Sequence, residues 1–131
     1  VINTSDVRDK MNIKPLHYGI DEIMKMEPIS FKWKEENESG FKIPDTEKET
    51  KLGFIAQDVQ KIIPEVIETH QWKVYEENPG VLINEEMPRM GISYSEIIPV
   101  IVKSIQEQQL QIEKIKATNE NLRTLISQLK K

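Results

Sequence analysis

Apolar residues recur at alternating intervals of three and four along the last third of the chain. The pattern runs from position 98 to position 129, and no glycine or proline interrupts residues 100–131. The positions are Ile98, Ile101, Ile105, Gln108, Ile112, Ile115, Asn119, Leu122, Ile126 and Leu129. Eight of these ten residues are apolar. This spacing is typical of a helix that forms the seam of a coiled coil.

The residue types in this seam indicate how many helices meet. Isoleucine occupies most of the first core positions of the heptad and, at Ile101 and Ile115, also the second. Leucine at the second position favours two strands, whereas isoleucine at both shifts the preference to trimers. The seam therefore predicts a parallel three-stranded coiled coil, in which the polar Gln108 and Asn119 set the register. The alternative is a single long helix packed against its own domain.

Two stretches before the tail also show helical spacing. The first stripe, in residues 16–27, consists of Leu16, Ile20, Ile23 and Met24. The second, in residues 55–63, consists of Ile55, Ala56, Val59, Ile62 and Ile63, and Pro64 marks its end. The tail helix is expected to begin with Ser95 as its N-cap, which places Pro99 in the first turn, where proline is tolerated.

Alternating and turn-rich stretches lie between these helices. Residues 29–34 alternate apolar and polar side chains and predict a half-buried strand. Residues 35–51 are charged and predict a long loop or arm. Residues 68–84 predict a hairpin around Asn78-Pro79-Gly80, and residues 90–94 a further short strand. The pattern as a whole predicts a mainly α fold with small β-hairpins (α+β).

Composition narrows the possible functions. The chain has a net charge of −4 and no basic block longer than two residues, which argues against nucleic-acid binding. It has no cysteine, and no apolar run approaches the length of a membrane span. The two histidines, His17 and His70, lack a matching pattern of acidic residues. We therefore expect no metal, cofactor or membrane partner.

The segment NTSDVRDK, residues 3–10, concentrates reactive side chains. A serine hydroxyl becomes a nucleophile when a base removes its proton, and a lysine can be that base when its amine is neutral. Ser5 and Lys10 are candidates for such a pair. The alternative is a polar turn in which Ser5 caps the local backbone and Asp6 and Arg8 are solvated charges.

Three segments occur in a recognisable order: SDVRDKMNI, LGFIAQDVQKIIPEVI and ISYSEIIPVIVKSIQEQQLQIEKI. Together they resemble the C-terminal intramolecular chaperone domain of phage tailspikes, tail fibres and neck appendages, best known from endosialidases. The same self-cleaving module is found in a membrane-anchored myelin transcription factor. The resemblance covers essentially the whole chain.

The resemblance implies a single-turnover serine endopeptidase that acts on its own chain. The family pattern Ser-Asp-x-Arg-x-Lys is matched by Ser5, Asp6, Arg8 and Lys10. Ser5 and Lys10 would be the catalytic dyad, with Asp6 and Arg8 in support. The cut falls before the serine, at Thr4–Ser5.

The resemblance also implies a role in assembly. A homotrimer would bring an upstream, β-rich fibre, tailspike or appendage part of the same polypeptide into register for folding, in the host cytoplasm during virion assembly. It would then be released from the mature virion protein. The alternative is a non-catalytic trimerisation or adaptor module of a structural fibre protein.

We expect three parts along the chain. Residues 1–14 carry the cleavage site, and residues 15–94 form the globular chaperone part. Its arm-like loops are 35–51 and 68–84, with ordinary surface loops as the alternative. Residues 95–131 form the trimeric coiled-coil helix of an elongated homotrimer.

Overall fold

A computed structural model describes residues 3–35, 42 and 44–131 of the chain. Its helices are α1 (Ile20–Lys25), α2 (Ala56–Gln60) and α3 (Tyr94–Leu129). Its strands are β1 (Ile29–Phe31), β2 (Lys51–Gly53), β3 (Ile67–Val74) and β4 (Leu82–Ile92). Short 3-10 turns cover Val7–Asp9, Asp45–Glu47 and Pro64–Val66. The predicted combination of a long C-terminal helix with small antiparallel hairpins is confirmed.

The core is small and lies where α2, the turn after it and the start of α3 meet. Its fully buried apolar residues are Val59, Ile63, Val66, Ile97 and Val100. Partly buried side chains surround them: Tyr18, Ile23, Met26, Phe54, Ile62, Ile67 and Ile92. The Tyr18 hydroxyl donates to both carboxylate oxygens of Glu65, at 3.0 and 2.9 Å, and this contact raises the pKa of Tyr18. Val59 and Ile63, two residues of the stripe predicted at 55–63, are both in this core.

Replacing Ile63 with alanine should destabilise the domain by about 2–5 kcal/mol. Ile63 is 1 % exposed, so truncation removes buried methyl groups and leaves a cavity among only a few core neighbours. Denaturant unfolding followed by circular dichroism measures the loss. Ile55→Ala is the control, because Ile55 is exposed and should change stability far less. Equal stability of the two variants would contradict this description of the core.

Helix α1 begins later than predicted, and its predicted stripe does not hold. Leu16 lies outside the helix, and Met24 is 76 % exposed. Two carboxylates cap the start of α1: Glu22 Oε2 accepts the Gly19 backbone N–H at 2.8 Å, and Glu107 Oε2 of α3 accepts the Ile20 backbone N–H at 3.1 Å. A side chain on Gly19 would overlap the carboxylate of Glu107, so glycine permits this close approach.

The strand predicted at residues 29–34 is only three residues long. β1 pairs antiparallel with β2, from Ile29 opposite Gly53 to Phe31 opposite Lys51. Pairing does not continue past Phe31, because its partner Lys51 is the first residue of β2 and the chain before it forms the 3-10 turn Asp45–Glu47. Of the predicted 35–51 arm, Asp45–Glu47 forms a 3-10 turn and Lys51 belongs to β2, while residues 36–41 and 43 lie outside the described residues.

Helix α2 is also shorter than predicted, because it ends at Gln60. Pro64 does not simply terminate the helix. It opens the 3-10 turn Pro64–Val66, where its missing N–H costs no hydrogen bond.

The hairpin predicted at residues 68–84 is confirmed and is longer than expected. β3 pairs with β4 from Ile67 opposite Ile92 to Val74 opposite Leu82. The predicted separate strand at 90–94 is instead the end of β4, which runs to Ile92. A register irregularity between Glu68 and His70 separates the base of the hairpin from its outer part.

Helix α3 begins at Tyr94, so Ser93 and not Ser95 is at the N-cap position. The reason is that β4 reaches Ile92 and leaves only Ser93 as a connection. Pro99 is consequently the sixth helical residue and lies in the second turn, beyond the predicted first turn. Among the described residues, no helix has both the length and the apolar character needed to cross a lipid bilayer.

Candidate Ser-Lys site

The segment before α1 folds into a single tight turn. Val7–Asp9 form one turn of 3-10 helix, and the Lys10 backbone N–H donates to the Val7 carbonyl at 3.2 Å. Asp6 is the N-cap, and its Oδ1 accepts the Arg8 backbone N–H at 2.9 Å. Aspartate is among the preferred N-cap residues, so the sequence favours this turn locally.

An ion pair reinforces the cap. The guanidinium of Arg8 donates through Nε to Asp6 Oδ1 at 3.0 Å and through Nη2 to Asp6 Oδ2 at 2.7 Å. This two-point contact lowers the pKa of Asp6 and raises that of Arg8. Arg8 is 85 % exposed, so the pair is worth little to global stability and mainly fixes the two side chains relative to each other.

The turn brings the predicted dyad into contact. Lys10 Nζ lies 2.6 Å from Ser5 Oγ and 3.2 Å from the Ser5 carbonyl oxygen. Nucleophile and base within hydrogen-bond distance is the geometry that a serine–lysine mechanism requires. Thr4 immediately precedes Ser5 and is exposed, as are Ser5 and Lys10.

The charge state of this contact matters chemically. A lysine ammonium donates a proton to Ser5 Oγ, whereas a general base must accept one from it. For the proton to pass from Ser5 Oγ to Lys10, the amine must be neutral, and the neutral form is favoured where water is excluded. The single chain leaves Lys10 open to solvent, so a covering surface would have to come from elsewhere.

Comparison with known proteins identifies this segment. Residues 5–68 match the model of a peptidase family described as "Chaperone of endosialidase". Residues 5–68 are therefore similar to that family. The match begins at Ser5, and it confirms the resemblance to the intramolecular chaperone domain over these residues. No curated protein matches the chain.

The chaperone-of-endosialidase match ends at residue 68, at the base of the β3–β4 hairpin. The rest of this hairpin projects beyond the matched part. Residues 70–84 are exposed along both faces, although several are large and apolar. These are Trp72, Val74, Tyr75, Val81, Leu82 and Ile83. A two-stranded hairpin exposed on both faces is marginally stable in water, so this one is suited to being covered by a partner.

Helix α3, which lies beyond the matched residues, uses two different faces. Ile97, Val100 and Ser104 are buried against the domain. The apolar residues of the predicted seam point away from it and are all exposed in the single chain: Ile98, Ile101, Ile105, Ile112, Ile115, Leu122, Ile126 and Leu129. The polar seam residues Gln108 and Asn119 are exposed as well. The alternative of a long helix buried on its own domain through this stripe is therefore wrong.

Exposed apolar residues beside the dyad were not singled out from the sequence. Val7 lies within the Ser5–Lys10 turn, Met11 and Ile13 follow it in the sequence, and all three are exposed, Met11 at 82 %. In the sequence they are three apolar residues within an otherwise polar segment, and such a segment on its own resembles an ordinary surface loop.

The two histidines make contacts with their neighbours in the sequence. His17 packs on the Tyr18 ring with centroids 4.0 Å apart, and His70 Nδ1 is 2.9 Å from Thr69 Oγ1. In the part of the chain that the structure describes, no group of three His, Cys, Asp or Glu side chains is arranged to hold a metal ion.

Proposed function

We propose that this domain is an intramolecular chaperone that trimerises, registers an upstream β-rich fibre, tailspike or appendage segment, and then cuts itself off at Thr4–Ser5. The observation that carries the proposal is the 2.6 Å contact between Ser5 Oγ and Lys10 Nζ. It lies at the residue where the family match begins. The residue types, their spacing and the family description thus support one reaction at one place.

The proposed reaction is a single self-cleavage. Lys10, as the neutral amine, takes the Ser5 hydroxyl proton while Oγ attacks the Thr4 carbonyl carbon. The Thr4–Ser5 C–N bond breaks as Lys10 returns the proton to the Ser5 nitrogen, leaving an ester between Thr4 and Ser5 Oγ. Water then hydrolyses the ester to a Thr4 carboxylate and a free Ser5 hydroxyl. Because the attack is within one chain, proximity supplies much of the rate.

Trimerisation is proposed to control this reaction. The exposed apolar stripe of α3 would be covered by the same stripe from two other copies, in a parallel coiled coil. Assembly would also bring neighbouring copies close to the Ser5–Lys10 turn, where Val7, Met11 and Ile13 offer apolar contact. A neighbour there would exclude water from Lys10, so cleavage would follow assembly.

The β3–β4 hairpin is the proposed contact with the upstream segment. Its outer half is exposed on both faces and carries Trp72, which is 70 % exposed. We place this folding step in the host cytoplasm during virion assembly. Once the chaperone has left, the fibre cannot refold by the same route, so its persistence is governed by a slow unfolding rate, which is kinetic stability.

The second candidate is a non-catalytic trimerisation or adaptor module. The exposure of Ser5 and Lys10 in the single chain favours it, because general-base action by a lysine is favoured where water is excluded. In that case the Ser5–Lys10 contact is a surface hydrogen bond, and the chain stays intact after assembly.

Ser5→Ala distinguishes the two candidates. We expect the domain, expressed behind its native upstream segment, to be cut before Ser5, and the Ser5→Ala chain to remain full length while still forming trimers. A denaturing gel gives the chain length, and mass spectrometry of the released domain gives its first residue. Thr4→Ala is the control, because it keeps the nucleophile and changes only the acyl side chain. If wild type and Ser5→Ala both stay full length as trimers, the adaptor function is correct.

A further inference from the structure

We propose that Arg8 is a positioning residue that keeps the Asp6 carboxylate away from Lys10. The inference rests on the proposed function, because it takes Lys10 to be the general base for Ser5. The segment contains one amine that must become neutral and one carboxylate on the residue next to the nucleophile. Arg8 lies between them in sequence and engages both carboxylate oxygens of Asp6.

The contacts of Asp6 exceed what a helix cap needs. Oδ1 accepts the Arg8 backbone N–H at 2.9 Å, and this bond alone completes the cap. The guanidinium adds a second bond to Oδ1 at 3.0 Å and occupies Oδ2 at 2.7 Å. Arg8 therefore occupies the oxygen that the cap would leave available to another cation.

Lys10 is the cation within closest reach. Its Nζ contacts both the hydroxyl and the carbonyl oxygen of Ser5, at 2.6 and 3.2 Å, and Asp6 is the next residue. A free Asp6 carboxylate would compete with Ser5 for this amine after a side-chain rotation. Pairing with a carboxylate also favours a charged ammonium over a neutral amine. Both effects would oppose general-base action.

Among the described residues, the other charged side chains of this segment form no hydrogen bond or ion pair with Ser5 or Lys10. Asp9 and Lys14 are the other charged side chains on the segment, and both are exposed. Within the described residues, no side chain from another element forms a hydrogen bond or ion pair with Asp6, Arg8 or Lys10. The Asp6–Arg8 pair is thus the local control on the charge seen by Lys10.

A double variant separates this role from a merely structural one. If Arg8 only stiffens the turn, replacing Asp6 as well removes the other half of the Asp6–Arg8 ion pair and cannot restore the cleavage rate. If Arg8 shields Lys10, removing the carboxylate compensates for the loss of Arg8. Asparagine at this position would still cap the turn, since its amide oxygen accepts the same backbone N–H.

The experiment measures the cleavage rate against pH for the domain behind its native upstream segment. Arg8→Met should slow cleavage about tenfold near neutral pH. It should also move the pH profile about one unit to the alkaline side, because about one unit is the smallest shift that an opposite charge nearby usually causes. Asp6→Asn combined with Arg8→Met should recover most of the rate and the original profile. Lys14→Met is the matched control, because it removes a positive charge from the same segment and leaves Asp6 paired.

The outcomes distinguish the proposed function from the inference about Arg8. A wild-type chain that stays intact, as Ser5→Ala does, overturns the proposed function and this inference with it. If wild type is cut, an Arg8→Met profile equal to that of wild type overturns the inference alone. A double variant that is cut no faster than Arg8→Met also overturns the inference alone. An Arg8→Met chain that no longer assembles also contradicts it, because shielding acts only at Lys10.

Discussion

Lys10→Arg should leave the chain uncut, with a cleavage rate lower by about 10²–10⁴-fold, the usual contribution of a positioned general base. Arginine keeps the positive charge and the capacity to donate to Ser5 Oγ. It does not become neutral in proteins and so cannot accept the hydroxyl proton. The substitution therefore preserves the hydrogen bond seen at 2.6 Å and removes the chemistry proposed for it.

The measurement is a time course on denaturing gels over a range of pH. Lys14→Arg is the matched control on the same exposed segment and should be cut at the wild-type rate. Cleavage of the Lys10→Arg chain at the wild-type rate would show that Lys10 donates a hydrogen bond but takes no proton. Another group would then have to be the base.

Ile115→Asp should convert the proposed trimer to monomers. Ile115 is 58 % exposed in the single chain and occupies the second core position of the predicted heptad. In a three-stranded seam the substitution would bury three carboxylates in one layer, each at a desolvation cost of several kcal/mol. Sedimentation equilibrium gives the mass of the assembly directly.

Leu110→Asp is the control for this experiment. Leu110 is on the same helix and is 65 % exposed, yet it lies outside the predicted seam. We expect Leu110→Asp to remain trimeric. A wild-type monomer, or an Ile115→Asp trimer, would contradict the coiled coil. If assembly controls cleavage, Ile115→Asp should also stay full length while Leu110→Asp is cut.

Local features were the ones that the sequence predicted well. The contact of Ser5 with Lys10 needs only one turn of chain, and Asp6 caps that turn through Arg8, two residues away. The β3–β4 hairpin likewise depends on the Asn78-Pro79-Gly80 turn and on strands that adjoin it. Most of the long α3 follows from residues 100–131, which no glycine or proline interrupts.

The ends of the elements depended on distant contacts. At the start of α1, the local Glu22 accepts the Gly19 N–H, and Glu107, 87 residues after Ile20, accepts the Ile20 N–H. Helix α3 starts at Tyr94 because β4 continues its pairing with β3 as far as Ile92. Neither distant partner is visible in the local pattern, so a stripe through Leu16 and a cap at Ser95 were wrong.

By itself, the sequence determined which residues could react and which helix stripe is periodic, because both are set by spacing along a few turns of chain. Only the tertiary structure decided which side of α3 the domain covers. Ile97 and Val100 are buried while their neighbours Ile98 and Ile101 are exposed, a difference of one residue that periodicity does not resolve. The physical reason is that the small core needs only one face of the first turns of α3, which leaves the seam face uncovered.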